Sequence, residues 1–297
     1  MSRTLLIFPI LFLIHLTQIQ SSTFRITNNC PYTVWPGLLS GAGTAPLSTT
    51  GFTLPSGSSE SISVPSGWSG RFWGRTLCTT SSNGKFSCIT GDCGSNAVQC
   101  SGAGAAPPAT LAEFTLNGSG ELDFYDVSLV DGYNLPMLIS PSNQRIGNCT
   151  KTGCLVDLND VCPNDLKVRA ADANVACKSA CEAFNTPEFC CSGEYGNPNT
   201  CKPSSYSQVF KNACPRAYSY AYDDGTSTFT CGQGADYEIT FCPKSARSEP
   251  QAAGLPVINE SMVFLGGDEV GGAGGLHWNV LGFAMAVGVG MILILGF

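Results

Sequence analysis

The chain has 297 residues, with 22 Asp and Glu against 15 Lys and Arg, a net charge of −7, and 16 cysteines. That acidic balance is unsuited to nucleic acid or anionic lipid and points to neutral or basic partners. Only two histidines occur, His15 and His277, and neither lies between Ser22 and Cys242. Their absence excludes Ser/His/Asp and Cys/His catalysis and His-ligated metal from that span, leaving carboxylates as its acid and base groups.

The first segment, MSRTLLIFPILFLIHLTQIQSS, has a basic start at Arg3, an apolar run from Leu5 to Leu16 and small polar residues after it. This is the pattern of a secretory signal peptide, expected over 1–21, with cleavage near Ser21 or Ser22. An apolar run of about twelve residues is too short to span a bilayer. All the cysteines fall between Cys30 and Cys242, an even number in a chain sent to an oxidising compartment, so eight disulfides and no free thiol are expected. Neither a metal nor another cofactor is implied.

From Ser22 onward TFRITNN, YTVWPGL, SISVP, RFWGRT, TLAEFTL, LDFYDVSLV and YEITFC are short, β-branched and aromatic, and separated by Gly, Pro, Asn and Ser turns. They predict an all-β sandwich or barrel. Later, DLKVRAADANVACKSACEAF has Ala-rich stretches of helical character among closely spaced cysteines, which predicts a cross-linked loop region with a short helix. Sequons at Asn117, Asn148 and Asn259 could each carry a glycan, Asn148 with Cys149 as its middle residue.

The stretch ELDFYDVSLVDGYN sets three aspartates, Asp123, Asp126 and Asp131, in a strand-like run. Along an uninterrupted strand Asp126 and Asp131 would face opposite ways, so Asp131 is expected beyond the strand end, where Asp131-Gly132 is a turn signal. By the same parity Asp123 faces away from Asp126 and is expected in solvent. Phe124, Tyr125 and Tyr133 are aromatic neighbours that could stack on a sugar.

After Cys242 the composition turns rich in Pro, Gly and Ser, expected as a spacer over 244–275. LHWNVLGFAMAVGVGMILILGF follows, 276–297, with no Lys or Arg after it. The tail fits a glycosylphosphatidylinositol attachment signal better than a transmembrane helix. The expected destination is the extracellular space or the outer face of the plasma membrane.

GKFSCITGDCGSNAVQC, Gly84 to Cys100, closely resembles the signature of thaumatin-like proteins, the plant pathogenesis-related family that includes thaumatin, osmotin and zeamatin. NNCPYTVWPG, RFWGRTLC, PPATLAEFTL, LDFYDVSLVDGYNLPM, EFCCSG, FKNACPRAYSYAYDD, STFTC and ITFCP follow in family order. The resemblance implies a flattened β-sandwich core (22–75, 108–154 and 215–243), a disulfide-rich loop domain (155–214) and a small disulfide loop domain (76–107). It also implies the pairs Cys30–Cys242, Cys78–Cys88, Cys93–Cys100, Cys149–Cys231, Cys154–Cys214, Cys162–Cys177, Cys181–Cys190 and Cys191–Cys201. Two departures are visible: Asn96 stands where the signature usually has Gly or Gln, and Arg216 where relatives often have Asp.

Family members share an acidic cleft, which carries over to Arg71, Glu113, Asp126, Asp131 and Asp223; Asp223 is chosen over Asp224. The resemblance implies a monomeric plant defence protein that binds β-1,3-glucan of fungal walls through this cleft. A second reading is a weak endo-β-1,3-glucanase, with Glu113 as acid and Asp126 as base or nucleophile. A third is an apoplastic receptor or signalling ligand whose cleft docks a basic protein surface.

Overall fold

The computed structural model describes residues 21–142 and 149–244. The expected signal peptide up to Gln20, the sequon residues Asn148 and Asn259, and the spacer and tail from Ser245 onward lie outside the described residues. Among the described residues thirteen strands occur in chain order: β1 Ser21–Asn28, β2 Trp35–Ser40, β3 Ser59–Pro65, β4 Ser69–Thr80, β5 Phe86–Thr90, β6 Leu111–Thr115, β7 Leu122–Ser128, β8 Met137–Ser142, β9 Thr152–Cys154, β10 Lys167–Ala170, β11 Ala173–Cys177, β12 Phe229–Gly232 and β13 Asp236–Phe241. Helical turns are α1 Ala180–Phe184, α2 Pro187–Cys190, α3 Ser205–Ala213 and α4 Asp224–Ser227.

Two sheets form the sandwich. One has the order β3-β1-β13-β8-β9, and the other the order β12-β7-β6-β4-β2, with β5 paired to β4. The alternation in β1 is the simplest cause: Ser22, Phe24, Ile26 and Asn28 are buried while the residues between them are more exposed. From the first sheet Phe24 and Tyr237 meet Phe72, Phe114 and Tyr125 from the second. Phe24 lies 4.6 Å from Phe114 and 5.4 Å from Phe72, centroid to centroid, and Tyr125 lies 5.4 Å from Tyr237. Burying each such ring contributes about 1.5–3 kcal/mol relative to leaving it in water.

The first and last strands, β1 and β13, run parallel side by side, and Cys30–Cys242 joins the chain just beyond them. The other disulfides are Cys78–Cys88, Cys93–Cys100, Cys149–Cys231, Cys154–Cys214, Cys162–Cys177, Cys181–Cys190 and Cys191–Cys201, and no cysteine is free.

The Ala-rich stretch Asp165–Phe184 contains the expected short helix, although less of it is helical than its alanines suggest. Most of it is the β10–β11 hairpin, turning through Ala171 at φ 50°, and only Ala180–Phe184 is helical. Alanine propensity loses to tertiary pairing here. Cys177 exchanges two 2.8 Å backbone hydrogen bonds with Tyr133, is cross-linked to Cys162, and is followed by Lys178 N–H donating to Leu166 O. The longest helix is instead α3, whose N-cap Ser204 accepts from Ser207 N–H at 3.1 Å.

Candidate functional site: an acidic row on the outer face of a sheet

Because Phe72, Phe114 and Tyr125 point into the sandwich, their strand neighbours point out. Register then decides which outward residues meet. Arg71 pairs with Glu113 across β4 and β6, and Glu113 pairs with Asp126 across β6 and β7. Leu39 on β2 lies opposite Arg71 on its other side. Directly opposed residues have Cβ atoms about 4.5–5.5 Å apart, so Leu39, Arg71, Glu113 and Asp126 form one row across four strands. Arg71 Nε lies 3.9 Å from Glu113 Oε1, with side chains 41% and 37% exposed.

One side of the row is sealed. Trp73 and Leu111, on the same face, are buried with Ala109 and the Cys93–Cys100 disulfide. Trp73 Nε1 donates to Gly91 O at 2.8 Å. Arg75, fully buried, donates to the carbonyls of Trp35, Pro36 and Val98 and so fastens the 91–100 loop over the sheet. The other side is open, lined by Ser69, Thr115 and Phe124, which pair Ser69 to Thr115 and Thr115 to Phe124 across the same strands.

Asp131 lies beyond the end of β7, in a turn held by Ala109 N–H donating to Asp131 O at 3.0 Å. Gly132 is required there: at φ +84° its Cβ would lie 2.6 Å from Pro108 and 2.7 Å from the Cys177 carbonyl oxygen. From this turn the Asp131 carboxyl interacts electrostatically with Arg71 and Glu113.

Burial is the main cause of a raised Glu113 pKa; Arg71 works against it and Asp131 adds to it. Asp126 is pushed well above the usual carboxylate range, first by burial, then by the Glu113 and Asp224 charges. Its Oδ2 is buried with no hydrogen-bond partner among the described residues. Asp131 is raised by burial, with Arg71 opposing. Two carboxyls thus face each other, and among the described residues Arg71 acts on Glu113 and not on Asp126, which favours a proton on Asp126 and a charge on Glu113.

Asp223 and Asp224 do different things. The Asp223 carboxylate is taken up by Lys211 Nζ at 2.9 Å and by Ser219 N–H and Oγ, both at 3.0 Å. Asp224 accepts from the Tyr218 hydroxyl at 2.8 Å, and Tyr218 is bridged alongside Ser128 at the end of β7. Of the two, Asp224 is therefore the one presented to Asp126.

Three expectations for neighbouring residues are corrected. Asp123 does face away from Asp126, but into the core rather than into water. It is 1% exposed, with Oδ2 accepting from the Tyr237 hydroxyl and Oδ1 from Asn117 N–H, both at 2.9 Å. Tyr125 and Tyr133 are core residues. Tyr125 packs among Phe114, Phe229 and Tyr237, and Tyr133 donates to the Val156 carbonyl at 3.0 Å. Of the three aromatics only Phe124 is left on the face of the row. Among the described residues, no group of three or more His, Cys, Asp or Glu is arranged to hold a metal ion.

A family model described as the Thaumatin family matches residues 28–243. The chain belongs to the thaumatin family. It is 57% identical over 241 residues to thaumatin-like protein 1 of Arabidopsis thaliana, covering 79% of this chain and 91% of that one. It is 55% identical over 237 residues to pathogenesis-related protein 5 of Arabidopsis thaliana, covering 79% and 97%. A Prunus avium protein named glucan endo-1,3-beta-glucosidase is 52% identical over 225 residues, covering 75% and 91%.

Within this thaumatin-family chain the two sequence departures lie off the row. Asn96 adopts φ 59°, a left-handed conformation that Asn tolerates better than most residues. The Arg216 guanidinium lies 4.3 Å from the Phe229 ring and donates to Thr150 Oγ1 at 2.8 Å. Sequence reasoning did not name Ser69 or Thr115, and it set Asp224 aside in favour of Asp223. Parity places Thr115 on the Glu113 face, but Ser69 and Asp224 needed the strand register and the Tyr218 bridge.

Proposed function

We propose that this thaumatin-family chain is an extracellular plant defence protein that binds β-1,3-glucan at the outer-face row, entered from its open side. The observation that carries this is the direct opposition of Arg71, Glu113 and Asp126 on three adjacent strands, open on the Ser69, Thr115 and Phe124 side. Carboxylates and a guanidinium accept and donate hydrogen bonds to sugar hydroxyls, and Phe124 offers an apolar surface for a ring face. Asp131 and Asp224 flank the row; Asp223, held by Lys211, supports the turn that carries Asp224. Secretion and a lipid anchor at the C-terminus belong to the same proposal and rest on the two apolar terminal segments.

A second reading, weak endo-β-1,3-glucanase activity, is favoured by the unequal environments of the two opposed carboxyls. In it the protonated Asp126 gives its proton to the glycosidic oxygen and the charged Glu113, steadied by Arg71, acts as base or nucleophile, the reverse of the roles first expected. The naming of the Prunus avium relative agrees with this reading. The test measures retention on insoluble β-1,3-glucan together with released sugar, for the wild type and for Glu113→Gln and Asp126→Asn. Hydrolysis lost in both variants with retention kept supports binding plus catalysis. Sugar release unchanged in both removes the enzymatic reading.

A further inference from the structure

The sequon Asn117-Gly118-Ser119 sits where it bears on the row. Along β6, Ala112 and Phe114 are buried, so Glu113 and Thr115 share the outer face, and Asn117 follows in the turn two residues past the strand end. Asn117 is exposed, in a turn at φ 50°, its backbone N–H fixed by Asp123 Oδ1 at 2.9 Å. Among the described residues its side-chain amide makes no hydrogen bond, and Ser119 is exposed as well. Four residues of extended chain separate it from Glu113, roughly 13 Å. Asn117 therefore stands beyond the open side of the row, past Thr115, whereas the opposite side is sealed by Trp73 and Leu111.

We propose that Asn117 carries an N-linked glycan that stands across the open side of the row and limits how far a polysaccharide bound at the row extends past that side. The attachment joins Asn117 Nδ2 to C1 of an oligosaccharide carried on a lipid pyrophosphate. The C1–O bond to the pyrophosphate breaks, the lipid pyrophosphate leaves, and Nδ2 gives up one proton. The limit on ligand extension rests on the glucan reading above; the attachment itself does not.

The experiment expresses the full chain through a plant secretory pathway, as wild type and as Ser119→Ala. That substitution removes the sequon yet leaves Asn117 in its left-handed turn. Peptide mass mapping after enzymatic glycan release is expected to show Asn117 converted to Asp in the wild type only. An unmodified Asn117 in the secreted wild type overturns the proposal. Affinities for a short β-1,3-gluco-oligosaccharide and for a long soluble β-1,3-glucan are then compared. Ser119→Ala is expected to bind the long chain several-fold more tightly and the short one equally. Equal affinities of both forms for the long chain overturn the limiting role. If neither form binds either sugar, the glucan reading falls and the limiting role with it, while the mass map still decides the attachment.

Discussion

Asp126 is the residue whose chemistry is set most strongly by its surroundings. Its carboxyl is pushed well above the usual range by burial and by the Glu113 and Asp224 charges, so folding favours its protonated form. The folded chain then holds more protons than the unfolded one between the unfolded value, about 3.9, and the raised folded value. Stability from this group is fully present below the lower value and falls as pH rises through that window. Asp126→Asn removes the penalty, so its Tm should exceed that of the wild type at pH 7, with the gap closing in acid. An equal gap at every pH would contradict the assignment. Asp123 shows a different balance: it too is raised by burial, but hydrogen bonds from Asn117 and Tyr237 oppose the rise. Asp123→Ala leaves the buried Tyr237 hydroxyl without its acceptor. Denaturant unfolding should show a loss of about 1–3 kcal/mol.

Strands bring the row together, and turns complete it. Parity along LDFYDVS separates Asp126 from Asp123, and Asp131-Gly132 reads as a turn, so these parts of the site were legible in the sequence. Parity could not say whether Asp123 faced water or a second sheet, because that depends on β13 placing Tyr237 against it from 114 residues away. Nor could it distinguish Asp223 from Asp224, since a lysine on α3 decides which of the two is occupied. The β10–β11 hairpin within the Ala-rich stretch was not legible for the same reason: the Tyr133–Cys177 pairing is long-range and leaves no local periodic signal. Gly132→Ala tests the turn. A Cβ at φ +84° against Pro108 and Cys177 should cost at least about 1 kcal/mol and displace Asp131. It should weaken glucan retention more than a substitution of equal stability cost on the five-stranded sheet.

At the scale of the whole molecule, the short β-branched and aromatic segments predict the sandwich, and the family motifs extend almost without a break along the matched span. What no single segment reveals is closure, the parallel pairing of β1 with β13 across the full length of the fold. Cys30–Cys242, with a sequence separation of 212, covalently ties these two strands at the same end. Replacing both cysteines with Ser should cost about 2–5 kcal/mol, seen as a lower midpoint in denaturant. Cys78–Cys88, with a separation of 10, closes a far shorter loop and should cost less when removed. The central claim is that the outer-face row recognises β-1,3-glucan. It is tested most directly by retention on insoluble β-1,3-glucan, with cellulose as control, for the wild type and a Glu113→Ala/Asp126→Ala variant whose folding is checked by its thermal unfolding. The account predicts that the wild type is retained on β-1,3-glucan alone and that the folded variant passes through. Equal retention of both proteins would contradict it.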